Sequence, residues 1–251
     1  MTKAEPPPRF ATFRDPPPPF EAASFEAATV ARAARGWQVL YEDERDSLIA
    51  ATLLVADLVV VEAPLELLRD ASRVVEDETR HVRVCDHVLR TLGHPAKSSA
   101  MAPRTFEDLP VLERLARLAV PGFLVGESLS AAAFQRARTM ASVPIAVWAY
   151  TELLRDEARH GPLGARVGAF VLPKLPPAFA KALWPECALH LQTMESRVGG
   201  PFDDAKLERE PNPEVMALES LGLLRGSQTC DAFVDCIAHR IVPKLRELGV
   251  V

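Results

Sequence analysis

Asp156-Glu157-Ala158-Arg159-His160 is the stretch that decides the fold, because a near copy, Asp77-Glu78-Thr79-Arg80-His81, stands 79 residues earlier. On an α-helix, residues three positions apart lie on the same face. The Glu and His of each copy can therefore direct a carboxylate and an imidazole to one point. Two such motifs supply four ligands of a two-metal carboxylate site, and one further Glu from each of two other helices supplies the remaining two.

The first of these further glutamates is expected in the helix before the first motif. From about residue 25 to 62 an apolar stripe steps by three and four residues, and Glu44 lies within it. A second stripe, at about 65–92, contains Glu78 and His81. Because only a short Ala63-Pro64 break separates the two segments, they are predicted to form an antiparallel hairpin.

A second hairpin is predicted at about 109–170. Its first helix carries Glu127 on an apolar face, and Pro121 is expected to kink that helix or to mark a later start. After a turn at 142–144, the next helix carries Glu157 and His160, with a kink expected at Pro162, just past the motif. Residues 94–109 are predicted to form the crossover between the two hairpins.

In each predicted hairpin, the two glutamates lie at similar distances from the turn. Glu44 lies 19 residues before the first turn and Glu78 lies 15 after it, while Glu127 lies 16 before the second turn and Glu157 lies 14 after it. At ~1.5 Å per residue these offsets are small enough for side-chain reach and helix tilt to absorb. Glu62 lies beside the turn and fails the test, and Glu42 is kept as an alternative to Glu44. The six predicted ligands are Glu44, Glu78, His81, Glu127, Glu157 and His160.

Four carboxylates and two imidazoles inside an apolar bundle require cations, since buried charge is costly unless it is paired or bound to metal. Two divalent ions balance four carboxylates, and mixed oxygen and imidazole ligation suits iron or manganese, with zinc as a contaminant. Metal-bound histidines pass their second ring N–H to an acceptor. The repeat therefore predicts crossed pairs, Asp156 with His81 and Asp77 with His160. The alternative is that both aspartates are exposed acids.

The six predicted ligands and their spacing resemble the ferritin-like dimetal-carboxylate superfamily over about residues 26–170. The resemblance implies an all-α fold: a four-helix bundle of two antiparallel hairpins joined by a crossover, with additional C-terminal helices. It also implies a non-haem di-iron or iron–manganese oxygenase or oxidase, which uses dioxygen or peroxide and an electron donor to oxidise a small organic substrate. The chain has no rubredoxin-type cysteine quartet, and its C-terminal region exceeds a minimal ferritin subunit.

Two other functions stay open at this point: iron or manganese handling or peroxide scavenging without an organic substrate, and a vestigial bundle with a binding role. An apolar pocket reaching the metals would favour the oxidoreductase, whereas a polar ion channel or a hollow shell would favour metal handling. The expected pocket walls are Leu48, Phe123, Ala131 and Phe134. Tyr41 and Tyr150 are candidate electron or proton relays or core residues, and Cys85 is a candidate pocket wall or an inert thiol.

Composition and sequence pattern limit the classes of binding partner and the cellular location that we expect. The net charge of -5 gives no basic footprint for nucleic acid. The uninterrupted apolar runs are far shorter than the ~20 residues of a membrane span, and the N-terminus lacks the apolar core of a signal peptide. The four cysteines have no zinc-site or disulfide spacing. We therefore expect a cytoplasmic protein with reduced thiols and no membrane partner, and a homodimer.

Three regions are predicted along the chain: a Pro-rich arm at 1–24, the bundle at 25–172 and a helical extension at 173–251. Residues 1–20 hold seven prolines, with Phe10 and Phe13 between the clusters and Phe20 after them. The arm is either a disordered tail or a segment anchored by its phenylalanines. Helices are expected at about 176–198 and 214–248, the latter split near 222–227. The remaining candidate ligands, His190, Cys230, Cys236 and His239, are assigned to packing or surface positions.

Overall fold

A computed structural model of the chain describes residues 13–97, 108–196 and 212–251. Within these ranges the protein is helical and contains no strand, which confirms the all-α prediction. Most of the predicted crossover, at 98–107, lies outside the described residues. So do Phe10 and the break expected at 199–201.

The helices are numbered in chain order. The first five are α1 (Ala27–Val60), α2 (Leu65–Thr91), α3 (Val111–Met140), α4 (Pro144–Glu157) and α5 (His160–Val171). Those of the C-terminal region are α6 (Pro177–Ala182), α7 (Trp184–Ser196), α8 (Pro213–Ser220), α9 (Gly226–Cys236) and α10 (Val242–Glu247). A π-helical turn, Ile237–Ile241, joins α9 to α10. The C-terminal helices therefore split at 221–225, close to the predicted position.

Helices α1 and α2 pack against each other along a tight turn, and their bounds agree with the prediction to within two residues. Helix α1 ends at Val60 because Glu62 adopts a left-handed backbone conformation (φ 51°) and Pro64 follows. Leu54 and Leu58 of α1 are fully buried in the same apolar cluster as Leu67 of α2. This burial places the Glu44 face of α1 toward α2.

Helix α3 is continuous across Pro121, so the predicted later start is wrong. Its segment Leu118–Glu127 is π-helical, with hydrogen bonds to the fifth residue along instead of the fourth. The wider winding accommodates a residue that has no amide hydrogen and whose ring crowds the preceding turn. The segment ends at Glu127, and π-helical stretches are frequent at functional sites.

Helix α3 is also long and apolar enough, by composition alone, to cross a membrane. Its best window has a mean hydropathy of 1.2, although 67% of that window is buried inside the protein. Leu115, Leu118 and Phe123 are among its side chains in the core. Packing within the protein therefore accounts for much of the apolar character of α3.

The close approach of α5 to α3 depends on Gly164. A Cβ at this position would lie 2.4 Å from the backbone nitrogen of Leu124 and 2.5 Å from the carbonyl oxygen of Ala119, and backbone atoms cannot rotate aside. We expect Gly164→Ala to lower the free energy of unfolding, measured in urea, by about 3 kcal/mol. Gly122→Ala is the control, because its Cβ would meet only the Arg117 oxygen at 4.0 Å. It should raise stability by up to about 1 kcal/mol. Equal stabilities would contradict the prediction.

The kink predicted just past the second motif lies inside the motif. Helix α4 ends at Glu157, Ala158 and Arg159 form a turn, and α5 begins at His160. A proline ring clashes with the carbonyl group four residues earlier, which for Pro162 is that of Ala158. Glu157 and His160 therefore lie on two successive helices.

The apolar core divides into two clusters, and the repeated motifs lie between them. On α1, Trp37 before Glu44 belongs to one cluster and Ala50 after Glu44 belongs to the other. On α2, Val74 before the first motif lies in the cluster of Ala50, and Val84 after the motif lies in the cluster of Trp37. A layer of buried acidic and imidazole groups therefore crosses an otherwise apolar interior.

The described part of the N-terminal arm packs on the helices. The Phe13 ring meets the Trp148 ring edge-on at a centroid distance of 4.9 Å, and Phe20 stacks on Phe25 at 5.8 Å. The indole N–H of Trp148 donates to the carbonyl oxygen of Asp15 at 3.0 Å. From Phe13 onward, the structure therefore supports an arm anchored by its phenylalanines and not a disordered tail.

Candidate metal centre

Six acidic and imidazole side chains from five helices meet in the buried layer. They are Glu44 of α1, Glu78 and His81 of α2, Glu127 of α3, Glu157 of α4 and His160 of α5. The most accessible of them, Glu127, is 8% exposed. The structure thus brings together all six of the residues selected by the repeat and the depth match.

Two of the carboxylates lie between the two imidazoles. Glu78 directs one oxygen to Nδ1 of His160 (3.0 Å) and the other to Nδ1 of His81 (3.5 Å). Glu157 mirrors it, with 3.3 Å to His81 and 3.5 Å to His160. Each of these carboxylates is therefore placed to bridge two positions.

The other two glutamates lie at the ends of the layer. Glu44 Oε2 is 3.2 Å from Nδ1 of His81, and Glu127 Oε2 is 3.8 Å from Nδ1 of His160. Ser47 donates its hydroxyl hydrogen to the other oxygen of Glu127 at 2.8 Å. Two triads result, each with donor atoms within 4.8 Å of one another: Glu44, His81 and Glu157, and Glu78, Glu127 and His160.

The hydrogen-bonding state of these groups fits a pair of bound cations. Both oxygens of Glu78 and Glu157, together with Nδ1 of His160, are buried, and beyond the imidazole–carboxylate contacts within the layer they have no hydrogen-bond partner in the described ranges. Buried polar groups are normally satisfied. Carboxylate oxygens and imidazole nitrogens that point to a common centre are the donors that divalent iron and manganese accept. Two buried groups of Glu and His can therefore each hold a metal ion.

The pKa values of five of the six residues in the absence of metal also fit a pair of bound cations. Burial raises the pKa of Glu44 to about 8 and that of Glu157 well above its usual range. Burial also opposes the charge of Glu78, but the neighbouring imidazoles outweigh it and lower the pKa of Glu78 to about 2. The carboxylates in turn raise the pKa of His81 and His160 well above the ordinary value, against the effect of burial. Without added cations, the site retains protons in place of metal.

Outside the imidazoles, two buried aspartates lie crosswise as the repeat predicts, Asp77 within hydrogen-bond range of His160 and Asp156 beyond that range from His81. Asp77 Oδ2 lies 3.4 Å from Nε2 of His160, and Asp156 Oδ2 lies 3.8 Å from Nε2 of His81. Since Nδ1 of each ring faces the glutamates, each aspartate is positioned to fix the orientation of one imidazole.

The motif arginines bind these aspartates and do not point to solvent alone. Arg159 donates to both oxygens of Asp77, at 2.8 and 2.9 Å, and it also pairs with Asp156. Arg80 lies between Asp156 (2.5 Å) and Asp77 (3.3 Å). The two copies of the motif are therefore cross-linked by ion pairs.

A cavity of about 220 Å³ reaches the site at Glu44 and Glu127. Its other lining residues include Leu40, Phe134 and Tyr150 of the first four helices and Leu223, Leu224 and Phe233 of the C-terminal region. Apolar side chains dominate this lining. Of the four predicted wall residues, Phe134 lines the cavity, whereas Leu48, Phe123 and Ala131 do not.

Two further clefts reach Glu157: one of about 400 Å³ between α3, α4 and α9, and one of about 490 Å³ between α3, α5 and the segment from His239 to Lys244. Ala131 and Arg240 line both of them. Arg136 lines the first, and Arg166 and Lys244 line the second. Arginine or lysine side chains therefore border both openings, together with Asp235 at the first.

The remaining candidates fall outside the ligand groups. Glu42 is exposed and accepts a hydrogen bond from Gln38 at 2.9 Å, so Glu44 is the inward-facing residue. Tyr150 lines the cavity, and its hydroxyl donates to the carbonyl oxygen of Gly222 at 2.8 Å. Tyr41 is half-buried beneath the Arg45 guanidinium. Cys85 is fully buried, and burial raises the pKa of its thiol well above the usual value.

The other candidate ligands outside the motif belong to neither of the two groups of converging donor atoms. His190 lies against Gly126, where an added Cβ would be 2.6 Å from its ring. His239 and Cys230 are exposed, and Cys236 is a buried free thiol beside Ser128. These positions agree with packing or surface roles.

Sequence reasoning missed two contributors to the site. Arg14 of the arm reaches Asp156 across 142 positions of sequence, and Ser47 contacts Glu127 from the next turn of α1 after Glu44. The position of Ser47 three residues after Glu44 was a usable signal. No periodicity marks Arg14, because it lies in a non-helical segment.

Comparison with protein-family models, with curated proteins and with solved structures yielded no match to this chain.

Proposed function

We propose that this protein is a ferritin-like dimetal-carboxylate oxidoreductase that oxidises a small, largely apolar organic substrate with dioxygen or peroxide. The observation that carries the proposal is the pair of buried Glu/His groups, whose bridging carboxylates have no other partner in the described ranges, beside an apolar cavity.

The proposed roles follow from the contacts. Glu44, His81 and the shared carboxylates of Glu78 and Glu157 would hold one ion, and Glu127 and His160 would complete the second position. The metal pair, iron or manganese, would supply the redox equivalents for reduction of dioxygen or peroxide. Asp77 and Asp156 keep both imidazoles turned with Nδ1 inward.

The chain itself would bind and orient the substrate. In the cavity, Leu40, Phe134 and Phe233 present apolar surface, while Glu44 and Glu127 stand at its inner end. A neutral organic molecule of matching size would lose water there and place one atom next to the metal positions. Tyr150 is held by Gly222, so in this arrangement it shapes the cavity wall.

Metal storage is the less favoured alternative. Access for Fe²⁺ would require an acidic or polar route, since like charges repel. The clefts that reach Glu157 carry arginine and lysine side chains, and the cavity that reaches Glu44 is mainly apolar. Both features suit small neutral molecules better than a flux of metal ions.

The first test is the metal content of protein purified from cells supplied with iron and manganese. We expect about two redox-active ions per chain, and less than about 0.2 in Glu78→Ala/Glu157→Ala, because this variant loses both carboxylates shared by the two positions. Elemental analysis measures the content, and circular dichroism checks that the variant keeps its helices. The control is Glu62→Ala/Glu42→Ala, which removes two exposed glutamates and should retain both ions.

Reaction with oxidant is the second step. The reduced, metal-loaded protein is exposed to dioxygen or hydrogen peroxide with small apolar compounds, and products are identified by mass spectrometry. Oxidised organic products support the proposal. Absence of stoichiometric metal from the wild-type protein would refute it. Rapid turnover of Fe²⁺ or peroxide, with no organic product from a broad panel, would instead favour metal handling.

A further inference from the structure

The segment Phe13–Asp15 of the arm is fixed to the outer wall of the candidate metal centre. Besides the ring contact with Trp148, Phe13 lies edge-on to His87 at 5.5 Å. The backbone N–H of Arg14 donates to the buried carboxylate of Glu152 at 2.9 Å, and Asp15 pairs with Arg155. Contacts on both sides of Arg14 therefore hold its backbone in place.

The side chain of Arg14 then reaches the layer that orients the imidazoles. Its Nη2 lies 2.5 Å from Oδ1 of Asp156, a fully buried residue, while Arg14 itself is 36% exposed. The other oxygen of Asp156 lies 3.8 Å from Nε2 of His81, which has no hydrogen-bond partner in the described part of the chain. The arm is thus two side chains away from a candidate metal ligand.

This contact makes the two halves of the site unequal. Asp77, beside His160, is bound by the two motif arginines. Asp156, beside His81, is bound by the same two arginines and additionally by Arg14. The repeat alone would make the halves alike, so the asymmetry comes from the arm.

Charges of the two signs are equal in number in the outer layer, and the arm contributes to both signs. The layer contains four acids, Asp15, Asp77, Glu152 and Asp156, and four arginines, Arg14, Arg80, Arg155 and Arg159. The arm supplies one member of each set. Removal of Arg14 alone leaves an excess negative charge at the buried carboxylate of Asp156. The orientation of Asp156 is then less fixed.

We propose that Arg14 is a positioning residue for the metal position formed by Glu44, His81 and Glu157, and that it acts by fixing Asp156 against His81. The inference rests on the proposed metal pair. It assigns the N-terminal arm a role in metal binding at one of the two positions. The second position, next to His160, is bordered by Asp77, which the two motif arginines hold, so Arg14 should affect it less.

Titration of the metal-free full chain with Co²⁺ under anaerobic conditions tests the inference, because the visible spectrum of Co²⁺ reports both binding and ligand geometry. We expect two ions per wild-type chain. In Arg14→Ala, one of the two should bind about 10-fold more weakly with an altered spectrum, and the other should be unchanged. Arg14→Lys, which keeps the charge, should restore most of the affinity.

The direction of the change separates positioning from simple electrostatics. Loss of the positive charge of Arg14 would relieve Coulomb repulsion and so strengthen the binding of a divalent cation. Weaker binding in Arg14→Ala is therefore the signature of lost orientation. The control is Arg90→Ala, which breaks a surface ion pair with Asp86 on α2 and should leave both ions unaffected.

A double-mutant cycle with Asp156→Asn tests the route of the effect. If Arg14 acts through Asp156, then Arg14→Ala should change Co²⁺ affinity by less than about 2-fold in the Asp156→Asn background. If Arg14→Ala fails to fold, Arg14→Gln carries the same expectations. Unchanged or tighter binding in the single variant, or an undiminished effect in the Asn background, would overturn the inference alone. Failure of the wild-type protein to bind Co²⁺ would overturn the proposed metal site as well.

Discussion

Replacing Glu157 with Met is expected to make the metal-free protein more stable and the metal-supplied protein less stable than the wild type. Glu157 is 2% exposed, and neither of its oxygens has a hydrogen-bond partner among the described residues. A carboxylate in this setting destabilises the fold, because it either loses hydration as an ion or takes up a proton. An apolar side chain of similar volume should raise the free energy of unfolding by about 2 kcal/mol, measured in urea with a chelator present.

The addition of Mn²⁺ should reverse this order. A ligand that binds only the folded state stabilises it, by about 2.7 kcal/mol for each ion supplied at 100 times its dissociation constant. Glu157 faces both positions, so its loss should remove most of the gain. The matched control is Glu42→Met on the surface of α1, which should change neither curve by more than about 0.5 kcal/mol. If Glu157→Met destabilises the metal-free protein by several kcal/mol, the carboxylate is satisfied without cations, and this interpretation of the layer is wrong.

The set of candidate ligands could be predicted because it depends on local spacing in the sequence. Helical period, short turns and a repeated Glu-x-x-His restrict which side chains can be level, and they select Glu44 over Glu42 and exclude Glu62. The same reasoning gives the all-α fold and the α1–α2 turn. In each case the information lies within about 20 residues of a turn, where helix geometry determines position.

Other features depend on contacts that no local pattern records. The break between Glu157 and His160 arises from the effect of Pro162 on a carbonyl group four residues earlier, and the π-helical stretch of α3 absorbs Pro121 in the core. The walls of the cavity include residues 222–224 and Phe233, which follow the bundle by more than 50 residues. Their placement depends on long-range hydrogen bonds, such as that from the Trp37 indole to the Leu221 carbonyl oxygen at 3.1 Å. Long-range packing of this kind is fixed by the whole tertiary structure.

Filling the cavity with an indole ring is expected to abolish substrate binding without loss of metal. Ala133 lines the cavity that reaches Glu44 and Glu127, and its side chain is half-buried on α3. A cavity of about 220 Å³ lined mainly by apolar groups should accept small aromatic molecules. In Ala133→Trp we expect binding of benzene or indole, measured by ligand-observed NMR, to weaken by at least about 100-fold, since the new ring occupies the same volume. Substrate oxidation should fall to the same extent.

The neighbouring residue provides the matched control. Ala132 is also half-buried on α3 but lines the cationic cleft that reaches Glu157. Ala132→Trp introduces the same bulk one residue away, so it should leave probe binding in the apolar cavity within about 3-fold of the wild type. Both variants should retain two metal ions per chain, because neither alanine is one of the candidate ligands. If Ala132→Trp blocks turnover and Ala133→Trp does not, the substrate reaches the metals through the cationic cleft, and an anionic organic substrate becomes the one to test.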